Sequence, residues 1–254
     1  KKDDYGDILP VKKKNNILFL TTGLGLGGAE RVVLDICKNI DKQRFNFCVI
    51  GISTQKELLS EFNNNQIKSQ VLGYKKTFYD FYRSLRFFIN YIEVNKIEVV
   101  HAHMFHTLAI ASIIRLFKPS FKVVFTAHNT FSSMPLRKWL IWLLKPFRHI
   151  DTVFSKDAVS FFHKDKYKII PNGIDAKLYL KNTNSDRRSD GSFTFVIVGR
   201  LEFMKNHSFL IDIVSQMNAY DFCLKIVGSG ILEESLKSKV NDLENRVKYL
   251  ELQL

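Results

Sequence analysis

The sequence is short of cysteine, of long apolar runs and of acid, and each shortage narrows what the chain is. Three cysteines, Cys37, Cys48 and Cys223, occur in 254 residues. None has C-x-x-C spacing and all sit in apolar contexts, which points to reduced, buried thiols in a cytosolic protein. The longest apolar runs, such as Trp139–Leu144, fall far below the roughly 18 residues that a bilayer span needs, so no membrane-spanning helix is expected. Ile17–Leu20 ends in a Gly-rich turn without a cleavage-like site and is no secretory signal. Asp and Glu number 25 against 38 Lys and Arg, a formal net charge of +13. That surplus favours phosphate-bearing partners: nucleic acid, anionic lipid or a nucleotide. Apart from a short stretch at Lys12–Lys14 the basic residues are scattered, and a plain basic surface accounts for them as well.

What is present is an ordinary globular balance, 46% hydrophobic and 25% charged, which excludes disorder and coiled coil. The length suits one large domain or two small ones. Apolar runs of strand length alternate with helical periodicity throughout. Asn16–Thr22 leads into a Gly-rich turn, after which Ala29, Val32, Val33, Ile36 and Ile40 recur at helical spacing. Strands are expected at Phe45–Ile52, Lys68–Leu72, Glu98–His103, Lys122–Ala127, Thr152–Ser155 and Lys168–Ile170. Helices are expected at Glu57–Asn64, Lys75–Ile92, Thr107–Phe117 and Leu136–Lys145, the last stopped by Pro146. Short Val/Ile/Phe runs between helices of about ten residues or more indicate a parallel sheet covered on both faces, a doubly wound α/β domain. The expected division is a basic tail over 1–15, this domain over 16–175, and a polar linker over 176–192. From 193 to 254 the strand–Gly–helix pattern starts again, with strands at Phe193–Val198, Leu224–Val227 and Val247–Leu250, helices at Ser208–Met217 and Leu232–Leu243, and the end of the chain in mid-pattern. A missing initial Met and that ending suggest a fragment.

Binding crevices in such sheets lie at the carboxyl ends of the strands, so residues there carry the candidate chemistry. Gly23-Leu24-Gly25-Leu26-Gly27-Gly28 matches G-x-G-x-x-G between a strand and a helix. The second strand ends in Gly51-Ile52-Ser53-Thr54 without the acid that would hold a ribose, which speaks against a nicotinamide or flavin site. A phosphate or sugar approaching the loop is the preferred reading, and a tight turn without ligand the plainer one. His101, His103 and His106 resemble a hydrolase zinc motif, but Phe105 stands where its Asp belongs and no carboxylate follows. They read as strand-end polar groups facing the cleft. His128 directly follows a strand. Arg200 and Lys205, five residues apart on a turn after a strand, suit a diphosphate.

Together Gly27–Arg31 (GGAER), His128, Pro171–Asp175 (PNGID), Val198–His207 (VGRLEFMKNH) and Val227–Leu236 (VGSGILEESL) resemble glycosyltransferase family 4, from about residue 16 onward and in order. The resemblance implies the GT-B fold: one complete Rossmann-like domain on the acceptor side and the start of a second on the donor side. It implies a hexosyltransferase of bacterial envelope or capsular polysaccharide synthesis that uses a nucleotide-diphosphate-sugar as co-substrate, with neither cofactor nor metal. By resemblance Arg200 and Lys205 clamp the donor diphosphate, with Gly27, Gly28, Gly199, Gly228 and Gly230 in the donor site. His128 contacts the transferred hexose, and His103, His106 and Asn129 lie on the acceptor side. Transfer is with retention, the leaving phosphate oxygen taking the acceptor proton, which needs positioning and charge stabilisation more than a strong base. The implied partners are a saccharide or lipid-linked acceptor and, through the aromatic and basic helices at Lys75–Ile92 and Leu136–Lys145, an anionic membrane at the inner face of the cell, but no nucleic acid. Packing of both aromatic stripes on the sheet is the plainer expectation for those helices. The family's Glu–seven residues–Glu motif has no counterpart, since no two glutamates lie eight positions apart. A non-catalytic remnant with a binding role is therefore the alternative.

Overall fold

The computed structural model describes residues 14–75, 77–128, 135–174, 176, 193–217, 222–243 and 250–253. The chain divides into two compact units, Lys1–Ala176 and Lys177–Leu254.

The first unit runs β1 (Asn15–Thr21), α1 (Gly28–Asn39), β2 (Phe45–Gly51), α2 (Leu59–Asn64), β3 (Ser69–Val71), α3 (Phe78–Val94), β4 (Val99–His103), α4 (Phe105–Phe117), β5 (Lys122–Thr126), α5 (Pro135–Leu143), β6 (Ile150–Val153) and β7 (Tyr167–Ile169). All seven strands are parallel, in the order β3-β2-β1-β4-β5-β6-β7. The order reverses between β1 and β4, where a crevice opens at the strands' carboxyl ends. Alternation along each strand sorts its side chains to two cores. Leu18 and Leu20 join Val100, Ala102, Val123 and Phe125 under α3, α4 and α5, while Phe19 and Val49 meet Val33, Leu34 and Cys37 of α1 on the opposite face. Each such side chain, taken wholly out of water, contributes about 1.5–3 kcal/mol.

The helices follow local signals. Thr77 caps α3, its Oγ1 accepting the Asp80 N–H at 3.1 Å. Met104 takes φ 76° before α4, and its N–H donates to the Thr126 carbonyl, locking the turn after β4 to the end of β5. Only part of the expected aromatic stripe of α3 packs inward. Phe88 and Ile92 are buried, whereas Phe78, Tyr79 and Tyr82 are exposed. On α5 Ile141 alone is buried, and Leu136, Trp139, Trp142 and Leu143 face solvent. The plainer expectation, that the whole stripe packs inward, therefore fails for α5. Arg148 and Asp151 form a fully buried ion pair at 3.0 Å. Arg148 also donates to the carbonyls of Ile141 and Phe162, tying α5 to the segment beyond β6.

The second unit runs β8 (Phe193–Val198), α6 (His207–Val214), β9 (Phe222–Val227), α7 (Glu233–Leu243) and β10 (Leu250–Gln253), with a parallel sheet in the order β10-β9-β8. Leu201, Ile211, Leu224, Ile226, Leu236 and Val240 form its core. Of the expected third strand at Val247–Leu250 only Leu250 lies within the described residues, where it pairs with Leu224 at the start of β10. Of the expected linker only Ala176 lies within the described residues.

Candidate functional site

The Gly-rich turn after β1 is built mainly to fit its own neighbours. Thr21 Oγ1 donates to the Gly23 carbonyl at 2.8 Å, and Leu24, fully buried, exchanges backbone hydrogen bonds with Gln55 and Leu58. A Cβ on Gly23 would lie 2.5 Å from Ser53 Oγ, and one on Gly51 would lie 3.1 Å from the Gly23 backbone. These glycines let the ends of β1 and β2 touch. Gly27 lies under the Glu30 carboxylate, whereas nothing stands within 4 Å of a Cβ on Gly28. The α1 N-terminus thus carries its own anion beside Gly27 and open space at Gly28. That weakens the attraction for a phosphate there and leaves room for a neutral group.

Four strands converge on a histidine cluster. His101 and His103 alternate on β4 to the same face as Phe19 of β1, with ring centroids 4.1 Å apart. The β4–β5 register sets His103 beside Thr126. His101 Nε2 meets Thr126 Oγ1 at 2.7 Å, and Thr126 Oγ1 hydrogen-bonds Thr152 Oγ1 of β6. His103 Nδ1 lies 2.8 Å from His128 Nε2, with the rings stacked. One of the two nitrogens carries the proton. Burial pushes the His101 imidazole down to about 3, with His128 adding repulsion. Burial, then His101 and His128, holds His103 well below its ordinary value, and burial takes His128 down to about 4. At neutral pH the cluster is uncharged: it can exchange hydrogen bonds with hydroxyl groups but carries no acid proton of useful strength. His103 is 1% exposed, so it reaches the crevice only through His128. His106 is elsewhere, exposed on the first turn of α4. Asn129 and Asp175 lie outside the described residues. Among the described residues no group of three or more His, Cys, Asp or Glu is arranged to hold a metal ion.

His106 instead lines a cavity of about 450 Å3 between the N-terminal ends of α3 and α4, walled by Ile52, Tyr74, Phe78, Phe81 and Phe105. The sequence pattern places Phe78 and Phe81 in the stripe of the helix at Lys75–Ile92 and leaves Tyr74 without a role, so the cavity is not legible from spacing.

In the second unit the turns after β8 and β9 are stitched together. Gly199 N–H donates to the Val227 carbonyl, Leu201 N–H to Ser229 and Leu232 N–H to Leu201. Gly228 has φ 150°, and a Cβ there would collide with the Gly199 carbonyl oxygen; one on Gly230 would lie 2.5 Å from the Leu201 oxygen. Only glycine permits this approach. It sets Arg200 and Lys205 beside the Gly228-Ser229-Gly230 backbone. The Arg200 side chain is 68% exposed and pairs with Glu202 at 2.9 Å. The Lys205 stem runs over Gly199, within 3.8 Å of where its Cβ would be. The buried His207 holds the Arg200 carbonyl at 3.1 Å. Two exposed basic side chains beside a glycine floor form a surface suited to an anion.

A family model, Glycosyltransferase Family 4, matches residues 26–178, more than half of the chain. An uncharacterized glycosyltransferase of Haemophilus influenzae is 24% identical over 252 residues, which are 94% of this chain and 69% of that protein. Among solved structures, Anabaena HepE, crystallised in complex with UDP and glucose, is similar at TM-score 0.74 and 21% identity, over 93% of this chain and 69% of that one. A glycosyltransferase from Rickettsia africae is similar at TM-score 0.70 and 14% identity, over 94% and 68%. The fold is that of the GT-B glycosyltransferases.

Proposed function

Because the chain belongs to Glycosyltransferase Family 4, we propose that it transfers a hexose from a nucleotide-sugar to a saccharide or lipid-linked acceptor, with retention, in the building of an envelope polysaccharide. The observation that carries this reading is the turn of the second unit, where Arg200 and Lys205 flank a floor of Gly199, Gly228 and Gly230. There a donor diphosphate exchanges Glu202 for its own oxygens on Arg200, and the two cations stabilise the negative charge that grows as the sugar leaves. No metal is required in this scheme. His128, uncharged and backed by His103, offers the hexose a hydrogen bond. Gly28, with open space before it, admits the sugar to the turn after β1, and His103 acts as a positioning residue behind His128.

We place this work at the inner face of an anionic membrane. In support, α5 exposes Trp139 and Trp142 among Arg137, Lys138 and Lys145, the composition of an interfacial helix. The test of the function is calorimetric titration with UDP-glucose, as the nucleotide-sugar probe, and with UDP alone. Saturable binding is expected, weakened at least tenfold in Arg200→Ala and in Lys205→Ala. Binding equal in wild type and both variants would overturn the assignment of the cations. No binding of either probe would overturn a uridine-nucleotide donor.

A further inference from the structure

The cavity between α3 and α4 has a lopsided chemistry that bears on what it accepts. On the α3 wall Asp80, Thr77 and Ser84 hydrogen-bond within the chain. The Asp80 carboxylate accepts the Lys75 N–H at 2.9 Å and pairs with Arg83. Thr77 Oγ1 accepts the Asp80 N–H, and Ser84 Oγ donates to the Asp80 carbonyl. What this wall presents to a guest is Phe78 and Phe81, faced by Ile52, Tyr74, Phe105 and Ile110. A saccharide hydroxyl seated against the Phe78 and Phe81 rings would lose its water without gaining a partner, at a cost of roughly 1–3 kcal/mol each. At the strand-end wall Thr22, Ser53, Lys75 and His106 bring hydroxyl, ammonium and imidazole groups to the cavity, Ser53 Oγ also accepting the Gln55 N–H at 3.4 Å. The cavity's volume of about 450 Å3 lies within the ~300–1,000 Å3 range of small-molecule sites. Its rim stays apolar, since Phe78 is 88% exposed, and Arg137 of α5 stacks on the Phe105 ring at 5.4 Å, closing the α4 side.

We propose that this cavity seats the apolar end of an amphipathic acceptor, with its polar head at the strand-end wall beside Thr22, Ser53 and His106. Of the acceptors named above this selects the lipid-linked kind over a bare saccharide. The assignment rests on the transferase reading.

The test compares three probes on the purified chain by isothermal calorimetry: dodecyl β-glucoside below its micellar concentration, methyl β-glucoside and laurate. Dodecyl glucoside should bind at least tenfold more tightly than either of the others. Ala109→Phe, which adds a ring to a cavity-lining position of α4, should abolish that advantage. Phe78→Ser, at a rim side chain too exposed to matter for folding, should reduce it several-fold. Methyl glucoside binding as tightly as dodecyl glucoside, or an advantage that survives both substitutions, would overturn the proposal. Laurate binding as tightly as dodecyl glucoside would also overturn it, because the cavity would then be a site for free lipid. UDP-glucose titrated in parallel separates the two readings: loss of the alkyl preference with UDP-glucose binding intact condemns the acceptor class alone.

Discussion

Acid should unfold the first unit steeply, and the histidine cluster should be the reason. In the unfolded chain a histidine binds a proton near pH 6.5. In the native unit His101 and His128 do so only at about 3 and about 4, and His103 is likewise held low. Each therefore contributes stability that is complete above about pH 6.5 and is lost as pH falls toward the native value, because the unfolded state takes up the proton first. The loss is about 1.4 kcal/mol per pH unit for each group. Between pH 6.5 and 5.0 it amounts to about 2 kcal/mol each for His101 and His128, or ~4 kcal/mol for the two, with His103 acting in the same direction, against the ~5–15 kcal/mol that holds a typical domain together.

Both tryptophans, Trp139 and Trp142, lie in the first unit, so urea unfolding followed by tryptophan fluorescence reads that unit alone. His101→Gln keeps a polar group near the Nε2 position that bonds Thr126 but cannot titrate. Its stability should fall with pH by ~1.4 kcal/mol per unit less than the wild type between pH 6 and 5. Taking the difference cancels every other titrating group, including His149 and His163, which are also shifted down. Parallel slopes for wild type and variant would refute the reasoning, since His101 would then be protonating in the native state as freely as in the unfolded one.

Asp151→Ala strands the Arg148 guanidinium in a site with no exposure and should cost about 3–5 kcal/mol, lowering the melting temperature by roughly 6–20 °C; Glu93→Gln, which breaks the exposed pair with Lys118, should move it by less than ~3 °C, and equal shifts would dispose of the distinction. Gly228→Ala forces a Cβ into the Gly199 carbonyl and should destabilise the second unit by at least ~2 kcal/mol, read as faster amide exchange in β8 and β9; unchanged exchange would contradict the close approach. Exposed Trp139 and Trp142 with the nearby basic residues should give salt-sensitive pelleting with phosphatidylglycerol vesicles and little with phosphatidylcholine. Trp139→Ser with Trp142→Ser should weaken it, and full recovery in the supernatant under all conditions would remove the membrane from the account.

The alternation of strand and helix was legible because each β run is apolar on both faces and each crossover carries a helical stripe, as in Leu18–Leu20 followed by Val33, Leu34 and Cys37. The turns after β1 and β8 were legible as glycine patterns next to strand ends. What spacing alone does not reveal is adjacency across strands. His103 and His128 are 25 positions apart, and only the β4–β5 register brings their rings together. Nor did the sequence separate His106 from the other two histidines, since one turn past the strand end carries it around α4 and away from their face. Nothing in the spacing of Arg148 and Asp151 marks them as buried, yet the two pair out of solvent and Arg148 donates to the carbonyls of Ile141 and Phe162.

The two units place opposite electrostatics at the carboxyl ends of their strands. In the first, three imidazoles are kept neutral by burial; in the second, the Arg200 and Lys205 side chains are exposed to solvent. On the proposed reading that division suits the reaction. Negative charge builds on the leaving diphosphate, where the permanent cations are, and each is worth most when its field meets charge that develops in the transition state. The sugar carbon becomes electron-poor at the same moment, and a protonated histidine beside it would raise the barrier by like-charge repulsion. Stacking His128 on His103 and backing it with Phe154 prevents that protonation while leaving an imidazole that still forms hydrogen bonds. The same burial that makes the first unit acid-labile is thus what keeps His128 uncharged for the sugar contact proposed above.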